Sequence, residues 1–147
     1  MYREDLVVRT KLMPPRLHKH TLHRPRVTGR LLEALDYRVT VVRAGAGYGK
    51  STALAAIADG EDPLAWYHLD DQDVDSLIFL LHLLNSFRMA VPDMSERALA
   101  ALDGGQGAGA LPGHGSPLPW KTVVGILVNE LIECATGPML LIIDDVH

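Results

Sequence analysis

The clearest chemistry in the sequence lies in Ala44-Gly45-Ala46-Gly47-Tyr48-Gly49-Lys50-Ser51-Thr52. A glycine-rich loop that turns from a strand into a helix leaves several backbone N–H groups directed into one concavity, which suits an anion. Gly47 and Gly49 can take backbone angles closed to other residues, and their bare Cα atoms let phosphate approach. Lys50 is placed to reach β- and γ-phosphates, and the Ser51 hydroxyl to ligate Mg²⁺. The spacing is that of G-x-x-x-x-G-K-[ST], with Ala44 at the first glycine position. A dinucleotide loop competes with this reading, because Gly45 and Gly47 also begin a G-x-G-x-x-G pattern, and Asp70 lies at the end of the second expected strand, where a ribose-binding acid or simply a loop acid would sit. In that alternative the third glycine falls on Lys50, where the helix has to pack closely on the strand.

A second constellation closes the sequence. Met139-Leu140-Leu141-Ile142-Ile143 is a continuous apolar run that ends in Asp144-Asp145. Such a run reads as a strand buried on both faces, and an acid at its tip can hold Mg²⁺ beside the loop hydroxyl. The second acid can orient or polarise an attacking water. A strand, phosphate loop and helix followed by an apolar strand with two acids reads as Walker A plus Walker B, a nucleoside triphosphate site.

The elements that must position these residues follow from pattern. Residues 1–36 read as a lead-in arm and a short helix, with Pro14, Pro15 and Pro25 opposing helix earlier. Thr28 is the expected cap of that helix, with Leu31, Leu32 and Leu35 on one side. Residues 37–147 read as a partial nucleotide-binding domain. In it, Arg38 to Val42 is a β-branched strand, Lys50 to Ala58 a helix, and Leu64 to Leu69 a second strand. Asp73 or Asp75 caps a helix carrying Leu77, Leu80, Leu81, Leu84 and Phe87 at helical spacing. A short helix is expected over about 95–102. The stretch 103–119 holds six Gly and three Pro and reads as a flexible excursion. Trp120, Val123, Val124, Leu127 and Leu131 mark a last helix before the strand at 139–145. Alternating strands and helices with apolar strands give an α/β fold around a parallel sheet.

Composition narrows the class further. The chain has 147 residues, 48% hydrophobic and 22% charged, which fits one globular domain and excludes collagen-like or wholly disordered chains. No apolar run approaches the roughly 20 residues of a membrane span, and the N-terminus lacks the pattern of a secretory signal. The expectation is a soluble, cytoplasmic protein with no membrane partner. Residues 1–43 carry a net charge of +6 and residues 44–147 one of −10. The basic residues Arg16, Lys19, Arg24, Arg26 and Arg30 alternate with prolines instead of stacking aromatics, so the arm is expected to pack on the acidic body and not on nucleic acid. His18, His20 and His23 lack companion ligands and read as surface histidines. Trp66 and Trp120 read as core, His82 as a packed or rim residue, and Cys134 as a buried thiol.

These motifs together resemble the amino-terminal nucleotide-binding part of the MalT-type, LuxR-family ATP-dependent transcriptional regulators, in the STAND class of P-loop NTPases. The resemblance is carried by Lys11-Leu12-Met13-Pro14-Pro15, Arg24-Pro25-Arg26, Ala44 to Thr52, Ala65-Trp66-Tyr67-His68-Leu69-Asp70 and Leu140 to His147. A weaker match is Val27-Thr28-Gly29-Arg30-Leu31-Leu32-Glu33, similar to the G-R-x-x-E element that precedes the phosphate loop in that class. The resemblance implies an ASCE/STAND-type P-loop fold, incomplete in this stretch. In that fold the strand between the Walker A and Walker B strands comes later in sequence. The implied function is an ATP/Mg²⁺ switch module: ATP favours self-association of the full-length protein, and slow hydrolysis resets it after an unidentified inducer has been sensed. DNA would be bound only through a C-terminal domain that lies beyond this sequence, and the fragment alone would be inactive as an ATPase. Ala44 to Thr52 would hold the nucleotide, Ser51 and Asp144 would serve Mg²⁺, Asp145 would act on the water, and Arg24 to Arg30 would lie near the adenine. The alternatives are a P-loop kinase or other phosphotransferase, and a Rossmann-type dinucleotide-binding protein. The first is disfavoured because no arginine follows Arg97 to arm a lid.

Overall fold

The structure, a computed structural model, describes residues 4–58, 60, 62–104 and 120–145. Its centre is a parallel pair of strands, β1 (Leu64–His68) and β2 (Leu140–Asp144). Leu64 stands opposite Leu140 and His68 opposite Asp144. The ladder continues at both ends, with Leu140 N–H donating to the Pro63 carbonyl and Leu69 N–H to that of Asp144, each at 3.0 Å. Helices α3 (Ser76–Ala90), α4 (Arg97–Gly104) and α5 (Trp120–Cys134) pack on it, while α1 (Pro25–Glu33) and α2 (Lys50–Ala55) pack on each other; short 3-10 turns lie at Glu4–Leu6, Arg9–Leu12, Ala34–Asp36 and Asp71–Val74. The described architecture is therefore mixed α/β. Among the described residues, no helix is long and apolar enough to cross a membrane.

The alternation of side chains along a strand gives the pair two faces. Ala65 and Leu141 face one core, built from Leu80, Leu81, Leu84 and Phe87 of α3, Ala98, Leu99 and Leu102 of α4, and Val123 and Leu127 of α5. Trp66, Ile142 and Asp144, all buried, belong to the other face. Asp75 caps α3 by accepting from Leu77 N–H at 2.8 Å and Ile78 N–H at 3.2 Å, which satisfies two of the donors that a helix start leaves open.

A fully buried carboxylate joins α4 to α5. Glu130, on α5, accepts from the Ser95 hydroxyl, from Arg97 N–H at 2.9 Å and from Ala98 N–H at 3.4 Å. It thus caps the first turn of α4 from a neighbouring helix, and a buried acid is tolerated because its oxygens are satisfied.

Several expectations are corrected. Residues 38–42 lie outside the sheet, with Val39 and Val41 81% and 74% exposed. A β-branched run becomes a strand only where a partner strand completes its ladder, and among the described residues β1 and β2 pair with each other. The first helix starts at Pro25 instead of after Thr28, since proline at the first helical position has a fitting φ and no N–H to leave unpaired. Of its expected apolar stripe only Leu31 is buried, while Leu32 and Leu35 are largely exposed. α2 ends at Ala55, and Ile57 and Ala58 N–H groups close tighter turns onto Leu54 and Ala55. Trp120 is half exposed because it opens α5 beyond the core. Cys134 is only partly buried. The excursion expected at 103–119 starts in α4 at Asp103 and Gly104, and its remainder lies outside the described residues.

Replacing Glu130 with Ala strands the Arg97 and Ala98 amides. We expect a loss of about 2–3 kcal/mol, read as a lower urea midpoint, with Glu130→Gln recovering part of it.

Candidate functional site

The loop after the exposed 38–42 stretch carries the predicted backbone. Gly47 and Gly49 have φ of +78° and +77°, in the left-handed region that glycine enters without penalty. At Gly45 the constraint is milder: a Cβ there would crowd the exposed Tyr48 ring at 3.0 Å, and the ring would have to shift. Tyr48 N–H donates to the Gly45 carbonyl at 3.3 Å. Lys50 turns back along the loop and donates from Nζ to the Ala44 carbonyl at 3.0 Å. Arg24, the residue before α1, reaches the same loop and donates to the Tyr48 carbonyl at 3.3 Å. Ala46 is exposed with the rest of the loop, Ser51 is half-buried at the start of α2, and Thr52 is exposed behind it.

The acids stand at the C-terminal end of the strand pair. Asp144 is the last residue of β2 and is 4% exposed. Its Oδ1 accepts from Asp145 N–H at 3.0 Å, and its Oδ2 lies 3.6 Å from Nδ1 of His68. Nε2 of the same imidazole lies 3.8 Å from the Asp145 carboxylate, so the ring sits between the two acids. Asp145 has φ of 62°, in the left-handed region that residues other than glycine seldom enter. His68 was not among the residues singled out from sequence. Strand register brings it there, and register is not readable without knowing the partner strand.

Ser51 and Asp144 offer hard oxygens, and Mg²⁺ on a nucleotide takes one or two protein oxygens with phosphate and water completing its shell. Among the described residues, no three His, Cys, Asp or Glu side chains gather as a metal site. Nor does any hydrogen bond or ion pair between described residues join 44–52 to Asp144 or Asp145.

The same end of β1 is fastened by a buried cation that sequence reading passed over. Lys11, in the 3-10 turn Arg9–Leu12, is 6% exposed. Its ammonium lies 2.5 Å from Asp73 and 2.9 Å from Asp70, and 5.8 Å from the Tyr67 ring centroid. Asp73 also accepts from the Tyr67 hydroxyl at 2.6 Å and from Asp70 N–H at 2.7 Å. Asp70 in turn accepts from Gln72 N–H, so the two aspartates form a capping box over Asp71–Val74. Asp70 is thereby engaged on its own turn and by Lys11, not held toward a ribose. Beside them His82, 2% exposed and stacked on Tyr67, accepts from Val8 N–H through Nε2 at 3.1 Å. The lead-in is therefore packed on the acidic body, but through Lys11 and Val8. Arg16, Lys19, His18, His20 and His23 are exposed.

No family profile matches the chain, and no solved structure matches it. Comparison with curated proteins does find relatives. The HTH-type transcriptional regulator MalT of Yersinia pestis (strain Pestoides F) is 30% identical over 144 residues, 97% of this chain. The chain is similar to MalT. The same match is found with MalT of Yersinia pseudotuberculosis serotype O:1b (strain IP 31758). MalT of Serratia proteamaculans (strain 568) is 34% identical over 85 residues, 58% of this chain. The chain spans 14% of the length of the Yersinia MalT proteins and 9% of the Serratia one. The relationship to a MalT-type regulator thus holds over the lead-in, the loop and the acid-tipped strand alike.

The charges around Lys11 give a pH dependence. Burial works against the Lys11 ammonium, but Asp73 and Asp70 outweigh it and hold its pKa above the ordinary lysine value. The hydrogen bond from Lys11, then that from Gln72 N–H, hold Asp70 below the usual carboxylate range. Burial pushes Asp73 up, and its bonds from Lys11, Tyr67 and Asp70 prevail and bring it below that range. Burial first, and Asp73 second, push the Tyr67 phenol well above its ordinary value. Lowered acids stabilise above their unfolded pKa, and a raised lysine or tyrosine stabilises below its own. Stability is therefore expected to fall below about pH 4 and again above about pH 10. Lys11→Met should flatten the part of the acid limb that Asp70 and Asp73 contribute and lower stability near neutrality by about 3 kcal/mol, measured by thermal melts across pH.

Proposed function

We propose that this chain is the ATP/Mg²⁺-binding switch module of a signal-responsive, LuxR-family transcriptional regulator with a P-loop NTPase fold of the ASCE/STAND type. The observation that carries the reading is the backbone of the loop. Two left-handed glycines flank Tyr48 immediately before Lys50 and Ser51, in a chain similar to MalT over nearly its whole length. That backbone is costly for any residue but glycine and is the conformation in which successive amides can face an anion.

In this reading the Ala44 to Thr52 loop binds the phosphates, and Lys50 exchanges the Ala44 carbonyl for phosphate oxygens. Ser51 and Asp144 hold Mg²⁺, which when bound neutralises charge on the β- and γ-phosphates. Asp145 orients the water, and the left-handed turn fixes where its carboxylate leaves the strand. Hydrolysis is slow and resets the switch. ATP favours self-association of the full-length protein, DNA is met through a separate C-terminal domain, and an inducer of unknown chemistry sets the balance. The protein works in the cytoplasm.

The test uses the full-length protein. Lys50→Ala should weaken ATP binding at least about a hundredfold, the loss of a charge-assisted contact to phosphate, while the melting temperature stays unchanged. Asp145→Asn should bind ATP as wild type does and lose turnover, measured as phosphate release. Wild-type affinity in folded Lys50→Ala overturns the proposal.

A further inference from the structure

Between Gly47 and Gly49 lies a peptide unit that the loop itself does not fix. The Tyr48–Gly49 peptide turns about ψ of Tyr48 and φ of Gly49, and on the glycine side that rotation meets little steric penalty. Two other parts of the loop are tied internally, through Tyr48 N–H to the Gly45 carbonyl and Lys50 to the Ala44 carbonyl. The Tyr48 carbonyl is held by Arg24. In a planar trans peptide the C=O and N–H point in opposite directions, so a Tyr48 carbonyl turned toward Arg24 directs the Gly49 N–H away from that side chain. Arg24 is itself well anchored. It precedes Pro25, whose ring fixes φ, and its carbonyl accepts from Val27 and Thr28 N–H at 2.9 and 3.0 Å. Its guanidinium stays charged at every accessible pH and presents a rigid set of donors.

We propose that Arg24 is a positioning residue of the phosphate loop: by holding the Tyr48 carbonyl it aims the Gly49 N–H at bound phosphate. The inference rests on the nucleotide reading above and makes the arm part of that site, on the loop side and not beside the adenine. Arg24 touches no phosphate in this arrangement, so what it contributes is the shape of the loop.

The experiment is competition against a fluorescent ATP analogue on the full-length protein, with inorganic triphosphate and adenosine as separate competitors. Arg24→Ala should weaken triphosphate about tenfold, the effect of losing a hydrogen bond from a charged donor, and leave adenosine unchanged. Arg24→Lys and Arg24→Gln, which keep a donor on a long side chain, should stay within about threefold of wild type. They also keep the proposal testable if Arg24→Ala folds poorly. A loss in Arg24→Gln as large as that in Lys50→Ala would mean that the guanidinium charge meets phosphate directly, which overturns a positioning role. Equal weakening of triphosphate and adenosine in Arg24→Ala would overturn it too, because the arm would then act on the whole site. Unchanged triphosphate affinity in Arg24→Ala, with affinity lost in Lys50→Ala, defeats this inference and leaves the nucleotide reading standing. Unchanged affinity in Lys50→Ala defeats both.

Discussion

The parallel pairing of β1 with β2 is the constraint on which the rest of the described structure depends. It joins segments more than seventy residues apart, and parallel strands cannot be joined by a tight turn, so the intervening chain has to cross over. That crossing is made by α3, α4 and α5, which share one apolar core against Ala65 and Leu141. Because register is fixed residue by residue, the pairing also decides which side chains meet at the strand ends. A shift of one residue would take Asp144 and Ile142 together off the face they share with Trp66 and His68 and turn the Asp144 carboxylate toward the side of the apolar core.

Charge at that end of the sheet is managed by the lead-in. Asp70, Asp71, Asp73, Asp144 and Asp145 emerge within a few residues of the two strand tips, and like charges so placed repel. Lys11 answers two of them from a buried position, with the Tyr67 hydroxyl and the backbone N–H groups of Asp70 and Gln72 supplying the other bonds. A buried pair of this kind is retained at a desolvation cost that its hydrogen bonds must offset. Here they do, since the Asp73 carboxylate receives three donors. The arm that begins with Lys11 ends at Arg24 on the phosphate loop, so one stretch of sequence touches both the acid-rich sheet edge and the glycine loop.

Much of this was legible in the sequence. The 3.6-residue spacing of Leu77, Leu80, Leu81, Leu84 and Phe87 located α3, with Asp75 as its cap where the pattern left Asp73 and Asp75 open. The apolar runs at 64–69 and 139–145 became the two strands, although the second is not buried on both faces, since Ile143 is exposed. The left-handed glycines of the loop followed from the motif. What stayed hidden were features made by meetings across the chain. Lys11 stands at the head of the matched lead-in motif, but nothing local marks it as buried. Glu130 carries no local mark of its role, which is to cap α4 from α5. Residues 38–42 have every local property of a strand, but a strand is a pairing, and its pattern says nothing about whether a partner lies beside it.

The backbone at Asp145 restricts the choice of residue at that position more than its carboxylate alone would. A left-handed conformation is entered readily only by glycine and by the short polar residues whose side chains bond locally to the backbone. Among acids this selects aspartate over glutamate, whose longer stem gives no such local support. A search for sequences that share this site should therefore weigh Asp, Asn and Gly at position 145 as one conformational class. Within that class, only aspartate also carries the negative charge.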